Sequence, residues 1–107
     1  MSNMAKGEDQ SRSGDDVNGA QIRAARGLLN LSVSEFSERT GLAVNTIRKA
    51  EKTNATPEVT AGNLRLIVKT LEDAGVIFLP ADSLGAGVRL RDPKQQPLKR
   101  RREKPVA

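Results

Sequence analysis

The chain has 107 residues, a net charge of +5, 36% hydrophobic residues and only two aromatic ones, so it specifies one small domain with an aliphatic core. It contains no Cys and no His, which excludes Cys/His metal sites, disulfides, thiol chemistry and catalytic groups that need an imidazole. The longest apolar run, residues 76–79, is far too short to cross a membrane, and the first residues lack the hydrophobic region of a signal peptide. We therefore expect a cytoplasmic protein without membrane contact, cofactor, metal or enzymatic activity.

The two ends of the chain differ from its middle in composition and charge. Residues 1–16 are rich in Ser, Gly, Asp and Asn without apolar periodicity, which predicts a disordered leader. Residues 92–107 carry six bases against two acids, including the run KRRR at 99–102, and predict a basic disordered tail. The tail either adds affinity for a polyanion by releasing counterions, or it is a solvated segment without a role.

The first predicted helix begins at an Asn18 cap. Gln21 follows three residues later, and this spacing is that of a capping box. Gly27 weakens the helix by roughly 1 kcal/mol relative to Ala unless close packing requires it. Asn30 fits a left-handed residue that ends the helix.

A second helix starts with the same pattern, with Ser32 as the cap and Glu35 as its third residue. Gly41 supplies the positive φ of a tight turn, and a third helix follows over about residues 44–52. Its inner face holds Ile47, Ala50 and Glu51, and its outer face holds Asn45, Arg48, Lys49 and Lys52. Residues 32–51 therefore have the layout of a helix-turn-helix, which places its second helix in a DNA major groove.

The rest of the chain predicts two more helices and a strand pair. Pro57 fits the first position of a short fourth helix, and a fifth helix covers about residues 63–74, with a buried stripe of Leu64, Ile67, Val68 and Leu71. Residues 76–79 and 87–91 then read as two strands. Since an isolated hairpin is marginally stable in water, the pair packs on the helices or pairs with its copy in a second subunit. The predicted organisation is a leader (1–16), a helix-turn-helix domain (17–75), a strand pair that is a candidate dimerisation element (76–91) and a tail (92–107).

The stretch IRAARGLLNLSVSEFSERTGLAVNTIRKAE, residues 22–51, resembles the helix-turn-helix domain of phage repressors of the lambda type and many small bacterial regulators, the Xre/Cro type. Members commonly read IRAAR-LL-LS-EELAER-GVS--TI-R-E, and the ending LEDAGVIFLP…GVRLR is similar to a bacterial subfamily with a two-stranded extension. The resemblance covers about residues 18–91. It implies a mainly α fold, a compact five-helix DNA-binding domain with a C-terminal two-stranded β extension. It also implies a transcriptional regulator that binds double-stranded DNA as a homodimer at a palindromic operator, and lies on the nucleoid when bound.

The resemblance places the DNA contacts around the third helix. Asn reads adenine through two hydrogen bonds, Lys donates to guanine, and small apolar side chains contact thymine methyl groups. The expected base contacts are Ala43, Val44, Asn45 and Lys49, and the expected backbone contacts are Ser32, Thr46, Arg48 and Lys52. The alternative is that the polar residues are a solvated surface and that Ser32 is a helix cap and nothing more.

The resemblance further implies an internal ion pair between Arg26 and Glu51 that ties the first helix to the third. The chain departs from the family pattern at three positions. Val33 stands where Gln commonly reaches a phosphate, Ala43 where Ser or Thr commonly caps the recognition helix, and Val44 where a polar base-reading residue is common. These departures change the reading surface of the motif and leave its scaffold intact.

A second class of function also fits the sequence. The chain is then a protein-interaction module, most concretely an antitoxin that engages a toxin through its C-terminal strands or its tail. Many small regulators of the family do both. An enzyme is the weakest interpretation, because no constellation of chemistry-bearing residues supports one.

Overall fold

A computed structural model of the chain describes residues 16–98, which form four α-helices followed by a two-stranded antiparallel sheet. The helices are α1 (Gly19–Leu28), α2 (Val33–Thr40), α3 (Val44–Glu51) and α4 (Ala61–Asp73), and the strands are β1 (Val76–Leu79) and β2 (Gly87–Leu90). The described part of the chain is mainly helical, as predicted. Residues 1–15 of the expected leader and residues 99–107 of the expected tail lie outside the described residues.

The described residues contain four helices, so the prediction of a short additional helix at Pro57 is wrong. The Thr60 side chain caps α4 by accepting a hydrogen bond from the Asn63 N–H at 3.1 Å, and α4 therefore begins at Ala61 rather than at Asn63. Only three residues then remain between Thr56 and the cap, fewer than one turn of α-helix needs. The connector instead follows an irregular path, with Pro57 buried against the domain.

The capping signals at the first two helices form as predicted. Asn18 and Gln21 exchange hydrogen bonds at 2.8 and 2.9 Å, and Ser32 and Glu35 do the same at 3.0 and 2.9 Å. Between these helices Asn30 adopts a left-handed φ of 58°. Each box satisfies N–H groups that have no partner within the helix, so the sequence fixes where α1 and α2 begin.

The helices enclose an aliphatic core to which both Phe residues contribute. The largest fully buried side chains are Phe36, Ile22, Leu29, Ile47, Ile67, Leu71, Val68 and Val76. Burying a side chain of this size stabilises the fold by about 1.5–3 kcal/mol, before the entropy of ordering it is counted. The predicted stripe of α4 and the predicted inner face of α3 both lie in this core.

The two strands pair with each other within the chain, with Val76 opposite Leu90 and Leu79 opposite Gly87. The sheet packs on α1 and α4. The Gln21 side-chain amide donates to the carbonyl oxygens of Leu79 at 3.0 Å and Gly87 at 2.9 Å, and so joins α1 to both strands. The strand pair therefore packs on the helices, which is one of the two alternatives that the sequence left open.

Residues 92–98, which the sequence places in the disordered tail, lie against the helices. The Gln95 side-chain amide donates to the Ala74 carbonyl at 2.9 Å, and the Leu98 N–H donates to the Leu29 carbonyl at 2.8 Å. The Leu98 side chain also packs against the core. Sequence periodicity gave no sign of this anchor, because a single apolar residue in a polar stretch has no period.

Candidate nucleic-acid interface

Helix α3 has one buried face and one exposed face that carries polar and basic side chains. Ile47 and Ala50 are fully buried and Glu51 is 6% exposed. The opposite face exposes Asn45, Arg48, Lys49 and Lys52. The α-helical period of 3.6 residues produces this separation, because positions three and four apart share a face. The two faces lie as the sequence predicts.

The turn before α3 is held by side chains of α2. Gly41 has a φ of +78°, and no side-chain hydrogen bond from the described residues caps α3 at Ala43. Instead, the Ser37 hydroxyl donates to the Leu42 carbonyl at 2.5 Å, and the Leu42 N–H donates to the Thr40 hydroxyl oxygen at 3.1 Å. These bonds fix the backbone immediately before α3, and no pattern in the sequence predicts them.

The other end of α3 is held by the ion pair that the resemblance implies. Arg26 Nε and Nη2 donate to the two carboxylate oxygens of Glu51 at 2.7 and 2.8 Å, and Nη1 donates to the Leu31 carbonyl at 3.0 Å. The hydrogen bond to Glu51 raises the pKa of Arg26 above its ordinary value, against the opposing effect of partial burial. One guanidinium therefore joins α1, the entry to α2 and the end of α3.

A second contact between α1 and the end of α3 was missed by sequence reasoning. Arg23 donates to the carbonyl oxygen of Glu51 and to the side-chain oxygen of Asn54, the latter at 2.7 Å. It thereby satisfies a carbonyl that has no partner within α3. Nearby, a Cβ on Gly19 would lie 2.0 Å from the Thr53 carbonyl oxygen, so only glycine allows this approach of α1 to the end of α3.

An open groove runs along the outer face of α3. Its lining consists of Arg26, Val33, Asn45, Arg48, Lys49, Glu51 and Lys52. Four of these residues are basic and one is acidic, and the acidic one is already paired with Arg26. The groove therefore has a net positive charge. Val33 adds an apolar contact surface to this basic groove.

The structure brings four of the predicted site residues together in the groove and places the other four outside its lining. Asn45, Arg48, Lys49 and Lys52 share the groove, whereas Ala43, Val44, Thr46 and Ser32 are outside its lining. Ala43 is exposed at the start of α3, while Val44 and Thr46 are half-buried. The Ser32 hydroxyl oxygen accepts from the Glu35 N–H, so its capping role is confirmed and only its O–H proton remains for a phosphate.

The described residues show two further properties that bear on function. No group of three or more acidic side chains within residues 16–98 comes together in a way that could hold a metal ion. Among the helices of this part of the chain, none has the length and apolar character needed to span a membrane.

Comparisons with known proteins give no independent family assignment. No model of a known protein family matches the chain, and a search of curated proteins finds no significant relative. The likeness of residues 22–51 to lambda-type repressors therefore depends on the motif in the sequence.

Proposed function

We propose that the chain is a sequence-specific DNA-binding transcriptional regulator that inserts α3 into the major groove of a palindromic operator. The observation that carries the proposal is the exposed polar face of α3, which is held at its start by α2 and at its end by two arginines of α1. The major groove of B-DNA is wide enough to admit an α-helix. A helix that is already fixed loses little conformational freedom when it binds.

In this proposal Asn45 and Lys49 contact the bases. The two residues lie one turn apart and are both exposed in the groove. Asn forms two hydrogen bonds with adenine, and Lys donates to the acceptors of guanine. Each good pair discriminates against the wrong base by about 1–3 kcal/mol. Ala43 and Val44, at the start of the helix, contribute contacts to thymine methyl groups.

Arg48 and Lys52, which are exposed on the same face of α3, contact DNA phosphates in this proposal. The hydroxyl groups of Thr46 and Ser32 make further phosphate contacts. Contacts of this kind position a protein on the duplex and carry no sequence information. Their basic members make affinity fall steeply with salt, because each neutralised phosphate releases condensed counterions.

The protein acts as a homodimer in this proposal for an energetic reason. One short recognition helix reads only a few base pairs, which is too little for a specific site in a genome. A second copy related by two-fold symmetry doubles the contacts and requires a palindromic operator.

In vitro selection from a random duplex pool tests the proposal directly. We expect an enriched palindrome, and weaker binding to it for Asn45→Ala and Lys49→Ala, each by about 5- to 150-fold with an unchanged melting temperature. Lys69→Ala is the matched control, because Lys69 is an exposed base on α4 outside the groove lining. A pool without enrichment would remove the proposal and favour the protein-interaction module, which predicts co-purification of a partner instead. An equal loss in the control would remove the assignment of base reading to Asn45 and Lys49.

A further inference from the structure

Val33 is the one apolar residue among the described residues that line the groove along α3. The other lining residues are Asn45 and five charged residues. The Val33 side chain is half-buried, since part of it packs against the core while the rest is exposed at the groove. Val33 is also the first residue of α2. The groove therefore has an apolar spot that belongs to α2 and not to α3.

The structure holds Val33 in place before any ligand binds. Ser32, the preceding residue, forms the capping box with Glu35 at 3.0 and 2.9 Å. One residue earlier, the Leu31 carbonyl accepts a hydrogen bond from Arg26 Nη1 at 3.0 Å. A valine within a helix has one strongly preferred χ1 rotamer. The methyl groups of Val33 therefore lose little conformational freedom when they contact a ligand in the groove.

The chemistry of the DNA major groove identifies the group that suits an apolar spot. Base edges present hydrogen-bond donors and acceptors there, and the C5-methyl group of thymine is the apolar exception. Covering a donor or acceptor with a valine costs free energy, because the polar group loses water without gaining a partner. Against a thymine methyl group, both surfaces leave water favourably. Ala43 and Val44 lie outside the groove lining, so a methyl group inside the groove meets Val33 instead.

We propose that Val33 is a base-reading residue of α2, which contacts the C5-methyl group of a thymine at or beside the base pair that Asn45 contacts. This inference rests on the proposed function. The position follows from the groove that Val33 and Asn45 both line. Specificity at this base pair then comes from two helices, with hydrogen bonds from α3 and an apolar contact from α2.

Deoxyuridine substitution in the duplex selected in vitro tests the contact. Replacing one thymine of a half-site at a time removes one methyl group and keeps the hydrogen-bonding groups of the base. At the contacted thymine, the wild-type chain should bind about fourfold more weakly, the factor that corresponds to one buried carbon group. Val33→Ala should bind the thymine and deoxyuridine duplexes equally well. Each comparison uses one protein on two duplexes, so a change in its folded fraction cancels.

Two matched valines serve as controls. Val88 is half-buried and packs against the same core, but it lies on β2 outside the groove lining. Val88→Ala should keep the fourfold preference for the methyl group. Val44→Ala should keep it at the same thymine, because Val44 is outside the groove lining as well. A preference that disappears in Val44→Ala and persists in Val33→Ala would overturn the proposal.

Failure of this inference differs from failure of the proposed function. Binding that depends on Asn45 and Lys49, without a thymine methyl effect in the wild-type chain, removes the role of Val33 alone. A chain that enriches no duplex removes both proposals.

Discussion

The guanidinium of Arg26 binds both carboxylate oxygens of Glu51, at 2.7 and 2.8 Å, with 8% of the Glu51 side chain exposed. The geometry joins the last turn of α1 to the last residue of α3. The hydrogen bond to Glu51 raises the pKa of Arg26 above its already high ordinary value, so the guanidinium remains charged at physiological pH. The pair therefore acts as a permanent link behind the proposed recognition helix.

Removing one partner of this pair should be strongly destabilising. Arg26→Ala leaves a buried carboxylate without its cation, and we expect a loss of about 3 kcal/mol, the low end for a broken buried pair because Arg26 is itself partly exposed. Chemical denaturation measures the loss. The exposed pair Lys69–Asp73 is the control, and Lys69→Ala should cost less than about 0.5 kcal/mol. Similar losses in the two variants would refute the structural role of Arg26.

Two glycines of α1 should respond to Ala in opposite directions. At Gly19 the added Cβ would lie 2.0 Å from the Thr53 carbonyl oxygen and 2.7 Å from that of Ala50, so we expect destabilisation of about 1–3 kcal/mol. At Gly27 the Cβ would meet no described atom outside its own helix within 4 Å, so we expect stabilisation of about 0.5–1 kcal/mol. Thermal unfolding of both variants tests the pair, and a shift of the same sign in both would contradict the close approach at Gly19.

Replacing Gln21 by Ala or by Glu should lower the stability of the fold. Gln21→Glu keeps an acceptor for the capping box but turns a carboxylate toward the carbonyls of Leu79 and Gly87, so we expect a loss of about 3 kcal/mol at neutral pH. Burial raises the pKa of the introduced carboxyl in the folded state. The loss should therefore shrink as the pH falls from neutral toward about 4, the ordinary pKa of Glu, because protonation restores a donor. Urea titrations at two pH values measure this, and a pH-independent loss would argue against the contact with the strands.

The turn before α3 should depend on the Thr40 hydroxyl. Thr40→Val preserves the shape of the side chain but leaves the Leu42 N–H without its partner, and should cost about 1 kcal/mol. It should also weaken DNA binding, because this turn positions α3. Ser34→Ala, at an exposed position of the same helix, is the control and should stay within about 0.5 kcal/mol of the wild type. A Thr40→Val protein with wild-type stability would show that the turn does not need this bond.

The features predictable from the sequence are those that depend on neighbouring residues. Both capping boxes, the left-handed residues at Asn30 and Gly41, and the faces of α3 follow from spacings of three and four residues. The contacts of Gln21 with the strands join residues 58 and 66 positions apart, and no local pattern indicates them. The contacts of Arg23 with Glu51 and Asn54 join residues 28 and 31 positions apart, and no local pattern indicates them either. A short fourth helix was predicted at Pro57 because proline is a good first residue of a helix, but the cap at Thr60 leaves no room for it.

The exposed face of α3 has a consequence for how such a protein can change over generations. Asn45, Arg48, Lys49 and Lys52 contribute no side chain to the core, and the contacts that hold α3 come from its inner face and from α1 and α2. Substitutions at these four positions therefore leave folding almost untouched. Descendants of this chain can therefore change the chemistry of this face without passing through unstable intermediates.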